Sequence, residues 1–305
     1  MVIDRVGMAA HERWGMTSIA VIADSIACIT KEQTENYHIK IVPANIFFNG
    51  QVYRDFIDIS SAQAYEFLVK APEFWKSSAA SPEDYLKAYR ELSEHAQSIL
   101  VVTISSSLSM FYSSAQTAKE IFQEESPQTA IEVLDSETVA AAEGLIALAA
   151  ARAAATGKPF DEVVAIAKKV KGRVKFVGLL ETIRHVYRTG RIPKVASEIG
   201  SMLSIKPILT GYNGHIHFAA AARTKQSGVE KMLQIMRNHV DNSEPVHVAV
   251  MQADAPAEAE KLKEGVATEF NCAEIFITDF SPIMGYATGW GTLALAYYKE
   301  DRLGQ

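Results

Sequence analysis

Two clusters of neutral hydroxyls are the residues of this chain best placed to do chemistry. In "KSSAASPEDYLKAYREL" Ser77 and Ser78 stand ahead of Ser81. In "ILVVTISSSLSMFYSSAQTA" an apolar run empties into Ser105, Ser106, Ser107 and Ser109, with Ser113 and Ser114 a turn later. Ser81 has a local explanation as an N-cap, with Pro82 at the first helical position, Asp84 at the third and an amphipathic pattern of Tyr85, Leu86, Tyr89 and Leu92 behind it. One serine of the second cluster would likewise cap a helix starting near Leu108–Ser109; the other hydroxyls exceed that need. A serine nucleophile requires a base, and neither cluster carries a G-x-S-x-G elbow or a histidine-bearing motif. The eight histidines are scattered, and His185, His215, His217 and His247 show no metal-ligand spacing with carboxylates or cysteines. Neither G-x-x-x-x-G-K-[ST] nor G-x-G-x-x-G occurs, which excludes nucleotide binding by those devices. Helix N-termini with spare hydroxyls suit an anion, through the dipole and the free N–H groups. Neutral donors around one negative charge make a binding site rather than a reactive one.

The elements that must position these hydroxyls alternate between strand and helix. "SIAVIADS", "SILVVTISSS" and "AIEVLDSET" are apolar runs ending in hydroxyls or carboxyls, each followed by helical material. The plainest helix, in "ETVAAAEGLIALAAARAAATGK", stops at Gly157 as a C′ glycine. Near-continuous apolar strands alternating with helices predict a parallel sheet covered on both faces, with ligands at the carboxyl ends of its strands. The second half differs. "VKFVGLLET", "VHVAVMQAD" and "AEIFITDF" read as strands, the last two around an acidic helix over 257–270. "KPILTGYNGHIHFAAAAR" reads as a hairpin turning at Asn213-Gly214, and "GWGTLALAYY" as a buried closing helix. The expected fold is therefore α/β in two domains: a three-layer parallel-sheet domain over 1–165 and a mixed-sheet α/β domain over 166–305, with the ligand between them.

With 305 residues, 48% hydrophobic and 22% charged, the chain can build a large core. A net charge of −6 argues against a nucleic-acid partner, which needs a basic face. The two cysteines, Cys28 and Cys272, lie in or beside strand-like runs, so a cytoplasmic protein without disulfides is expected. "MVIDRVGMAAHERWGM" lacks the basic start and apolar core of a signal peptide. The most apolar stretch, Val139–Thr156, is interrupted by Glu143 and Arg152 and is too short to span a bilayer.

Six stretches in order, from Ser18 to about Tyr298, resemble the DegV-like fatty-acid-binding family. They are "VIADSIACI" (family form close to TDSTADL), "SSAASP" (TSQPSP), "ISSSLSMFYSSA" (ISSGLSGTYQSA), "VYRTGRIPK" (YLKKGGRIS), "KPILTGYNGHI" with Ala222-Arg223-Thr224, and "SPIMGYATGWGTLALAYY" (GPVIGTHTGPGALGLAF). The resemblance implies a two-domain α/β protein that buries a long-chain fatty acid, without a cofactor. It implies a carboxylate held by Ser77 and Ser109, with Ser78 and Ser106 beside them. It also implies that the lipid is presented to a separate ATP-dependent fatty-acid kinase. This chain departs from the family pattern at several points. Ser77 replaces a threonine, Ala79-Ala80 replaces Gln-Pro, Ser107 and Met110 replace glycines, and Phe111 replaces a threonine. Ala287 replaces the histidine expected near the head group, Trp290 sits within the Gly-x-Gly, and Tyr286 is the candidate replacement donor.

Arg184, Arg188, Arg191 and Lys194 form a short basic segment that Gly190 would interrupt. Cations at a helix C-terminus simply offset its dipole. Arg191, matching the family's Gly-Arg-Ile, is also the candidate contact for a kinase or phosphate, with Arg223 second. The expectation is a monomeric carrier with transient membrane contact. The rivals are a serine hydrolase or acyltransferase, and a ligand-sensing protein with an altered pocket.

Overall fold

A computed structural model describes residues 19–70, 76–192, 205–241 and 243–300. The segment before residue 19, and Lys194, lie outside the described residues. The first half contains β1 (Ile19–Asp24), a 3-10 turn (Ser25–Ala27), α1 (Lys31–Asn36), β2 (Ile39–Val42), β3 (Asn45–Phe48), β4 (Gln51–Arg54) and α2 (Ser61–Lys70). It continues through β5 (Lys76–Ser78), α3 (Pro82–Ser93), β6 (Ser98–Thr103), α4 (Phe111–Glu125) and β7 (Ala130–Asp135) to α5 (Ala141–Ala155) and α6 (Phe160–Lys171). The three runs ending in hydroxyls or carboxyls lie together in one parallel sheet of order β2-β1-β6-β7, as expected. All six residues of β1 and five of the six of β6 are buried, because helices cover both faces.

The second half contains β8 (Lys175–Leu179), α7 (Arg184–Arg188), β9 (Lys206–Tyr212), β10 (His215–Ala222), α8 (Lys225–Arg237), β11 (Val246–Gln252), α9 (Pro256–Glu269), β12 (Cys272–Asp279), α10 (Pro282–Thr288) and β13 (Leu293–Lys299). Its sheet has the order β10-β9-β8-β13-β11-β12, antiparallel except between β11 and β12. The hairpin turns at Asn213-Gly214 with φ of 48° and 78°, the positive pair that a tight two-residue turn requires. The tail differs from expectation: 293–299 is a strand, not a closing helix. β13 is central and buried on both faces, so it lacks the alternation that marks a half-buried strand, and its apolar run resembles a helix segment.

α5 joins the two halves. Twelve of its fifteen residues are buried, and it packs on β1 and β6 on one side and on β11 and β13 on the other. A helix apolar all round is a core helix. A third sheet, β4-β3-β5, was not expected; it is antiparallel, and its two outer strands have only four and three residues.

Candidate ligand-binding site

The carboxyl end of the first sheet faces the second half, and the hydroxyl cluster after β6 divides there by task. The buried Ser105 Oγ donates to the Gly214 carbonyl at 2.8 Å, and Ser107 Oγ donates to the same oxygen. The Gly214 N–H returns a bond to the Glu137 carbonyl at 3.0 Å. These serines fasten the β9–β10 hairpin to the first sheet. Ser113 Oγ turns back to the Met110 carbonyl at 2.9 Å. No serine caps α4: that helix begins at Phe111, and Met110, at the N-cap, makes no side-chain cap bond. The expected start near Leu108–Ser109 falls instead in an irregular stretch that leaves Ser109 half-buried and outside the helix.

Ser109 opens into a cavity of about 1030 Å³, mouth included, between the two halves. Ile104, Leu108, Phe111 and Val139 supply apolar wall from the first half, and Phe176, Leu180, Leu209 and Phe280 from the second. The polar residues of its lining are Ser77, Ser78, Ser109, Thr189, Arg191, Tyr286, Thr288 and Thr292. Each threonine already donates to a backbone carbonyl: Thr189 to Val186 at 2.7 Å, Thr288 to Met284 at 2.8 Å and Thr292 to Thr288 at 3.2 Å. Arg191 bonds the Thr189 carbonyl at 2.7 Å through a guanidinium nitrogen and is otherwise exposed. By contrast, the side chains of Ser77, Ser78 and Ser109 make no hydrogen bond with any described residue.

Ser77 and Ser78 reach the cavity from β5, where they pair with Ile46 and Asn45 of β3. Ser81 behind them is the cap of α3, with its side chain and that of Asp84 reciprocally bonded, as expected. Ser106 does not join the cavity: it is exposed, and its backbone N–H points to the Asp135 carboxylate at 3.2 Å. Arg223 is exposed and also lies outside the lining. Ala287 lines the cavity, whereas Trp290, 44% exposed, does not. The Trp290 ring stands edge-on to His185 at 5.1 Å, and a Cβ on Gly289 would run into that imidazole. Burial, with Arg188 and Arg184 nearby, holds His185 below its ordinary pKa.

Three buried acids, Asp24, Asp55 and Glu143, were not among the expected site residues. Asp24 accepts from the Ile26 and Ile104 N–H groups, both at 2.9 Å, and burial pushes it up to about 7. Glu143 on α5 is fully buried and pushed well up by burial and by the Asp24 charge; neither of its oxygens has a partner of good geometry. Asp55 is pushed up to about 6, again by burial. Lone acids at 24, 55 and 143 carry no spacing signal that would have grouped them.

The fold is α/β, with an apolar cavity between its two large sheets and three serine hydroxyls on the lining that have no partner among the described residues. The chain belongs to the DegV family: the profile described as an uncharacterised protein of the DegV family matches residues 18–300. A DegV domain-containing protein of Clostridium acetobutylicum is 30% identical over 286 residues, covering 94% of this chain and 99% of that one. The crystal structure of DegV, a fatty acid binding protein from Bacillus subtilis, has a TM-score of 0.83 at 26% identity, covering 93% of this chain and all of that one. A DegV family protein from Ruminococcus gnavus solved with vaccenic acid has a TM-score of 0.84 at 25% identity, covering 92% of this chain and 99% of that one. No described helix is long and apolar enough to cross a membrane.

Proposed function

We propose that this protein binds a long-chain fatty acid in the cavity between its halves, with the carboxylate held by Ser77 and Ser109. The observation that carries the reading is the set of three unpartnered hydroxyls at the rim of an apolar cavity. A carboxylate is an acceptor only, so donors with no other bond are what it needs. Two DegV relatives whose structures are described as binding fatty acid or holding vaccenic acid support the same ligand class. Ser78 and Tyr286 stand beside the proposed clamp, while Ser106 falls outside it. The bound acid would be presented to an ATP-dependent acyl kinase across the exposed Arg191, whose guanidinium can grip a phosphate bidentately. In this reading residues 1–165 and 166–305 act as two domains of a monomeric, cytoplasmic, cofactor-free carrier that touches membranes transiently, with Arg223 a second contact for the kinase.

Native mass spectrometry of protein purified from cells tests the reading. A co-purifying fatty acid is expected, and a protein with no lipid that also fails to take up palmitate would overturn it. The hydrolase alternative has one observation in its favour: His215 Nδ1 lies 3.0 Å from Ser107 Oγ. That hydroxyl already donates to the Gly214 carbonyl and lies outside the cavity. Turnover of an ester substrate that is lost in Ser107→Ala would favour the hydrolase.

A further inference from the structure

Asp55 follows β4, and its side chain is wholly buried at the meeting point of three segments that line the cavity. Its N–H donates to the Ala44 carbonyl at 2.9 Å, fixing the entry to β3. One carboxylate oxygen accepts from Ser25 Oγ at 2.7 Å, tying in the turn that carries Ile26. The other accepts from the Ile283 N–H at 3.1 Å, on the segment that brings Ile283, Met284, Tyr286, Ala287 and Thr288 to the cavity. Ser281 nearby also favours the charged carboxylate. Nearby, Ser61 Oγ donates to the Phe280 carbonyl at 2.8 Å, and the Tyr65 ring lies against Gly285.

We propose that Asp55 is a positioning residue that seats the Ser281–Thr288 segment, so that ligand affinity depends on its ionised carboxylate. This inference rests on the fatty-acid reading above. Both groups bonded to the carboxylate are donors, which matches the ionised form; a proton on either oxygen sets an O–H against a donor and turns one of them away. Burial works against ionisation and places the group within the range of mild acid, at about 6. The titratable groups facing Asp55 are Asp24 of β1, Cys28 after the 3-10 turn and Tyr65 of α2. None of the groups acting on it is cationic. Arg54, the neighbouring cation, is spoken for by Asp58 on the surface, with bonds of 2.8 and 2.9 Å.

The test uses the full chain and tetradecyl sulfate below its micellar concentration, because a sulfate head stays ionised where a fatty acid's own carboxyl would titrate. Between pH 7.5 and 5.0 the wild-type dissociation constant should rise about tenfold with a midpoint near 6. Ser25→Ala removes a donor to the carboxylate and should move that midpoint upward. Asp55→Asn should bind weakly and lack the step near pH 6. Hydrogen exchange of the Ile283–Thr288 amides, corrected for intrinsic rates, reads the same latch without any ligand: protection should fall below pH 6 in the wild type and not in Asp55→Asn. Exchange that follows the expected pattern in a protein that binds no alkyl chain would overturn the fatty-acid reading and leave the latch standing. A wild-type pH profile in Asp55→Asn, or an unmoved midpoint in Ser25→Ala, would overturn the latch.

Discussion

Removing the two rim hydroxyls, in Ser77→Ala with Ser109→Ala, is the sharpest perturbation of the proposed clamp. Hydrogen bonds to a charged group contribute roughly 1.5–3 kcal/mol each. Both serines are only half-buried at an open mouth, which argues for the lower end. The pair should therefore contribute about 3 kcal/mol, or about 100-fold in affinity. About fifteen methylenes at about 0.8 kcal/mol each would add roughly 12 kcal/mol before the costs of association. The tail thus dominates affinity, the hydroxyls orient the head, and the double variant should still bind. Neither side chain bonds another of the described residues, so melting temperature should not move. Titration calorimetry with palmitate reads the loss, and with methyl palmitate, which lacks the charge, the loss should be smaller. An unchanged affinity for palmitate, or an equal loss for the ester, would refute the clamp.

Three further outcomes are expected. Arg191→Ala should spare palmitate binding yet reduce acyl-phosphate formation with the cognate kinase, with Arg191→Lys recovering part of it because lysine keeps the charge but loses the fork; full turnover in Arg191→Ala would return that arginine to an ordinary surface charge. Asp24, raised from 3.8 to about 7, leaves the native state holding a proton that the unfolded chain has released, so its contribution to stability falls as pH rises from about 4 to 7. His185 and His239, both held low by burial, act in the opposite sense below pH 6.5, so the quantity to follow is the stability of Asp24→Asn relative to wild type. By urea denaturation it should improve by about 2 kcal/mol between pH 5 and 8, and a flat difference would contradict the assignment. Gly144→Ala would set a Cβ 2.4 Å from the Ala27 carbonyl oxygen and should destabilise by about 1–3 kcal/mol, only partly offset by alanine's better helix propensity, as read from thermal melts.

What was legible in the sequence depended on whether a feature leaves a local pattern. β1, β6 and β7 did: buried parallel strands are near-continuous apolar runs, and their polar ends mark the side where ligands bind. Ser81-Pro82 and Asn213-Gly214 were legible because caps and tight turns demand particular residues. β13 was misread because burial on both faces erases the period. The short strands β3, β4 and β5 are too brief to show one. Within the serine cluster residue type could not separate Ser105 and Ser107, which hold a hairpin more than 100 residues away, from Ser109, which faces the cavity. Asp55 was silent for the same reason: its two donors come from positions 25 and 283, brought together only by the fold.

α5 sets a limit on how this molecule can breathe. With twelve buried residues gripped by both sheets it has no free side to keep if the halves part, and its Arg152 also reaches across to Glu274 of β12. Swinging the sheets apart like the covers of a book would strip that helix and expose its alanines and leucines together. The two halves should therefore melt in one transition, and a fatty acid bound as proposed would have to thread in past the rim, by local displacement of short pieces such as α7 and α10, rather than through a hinge.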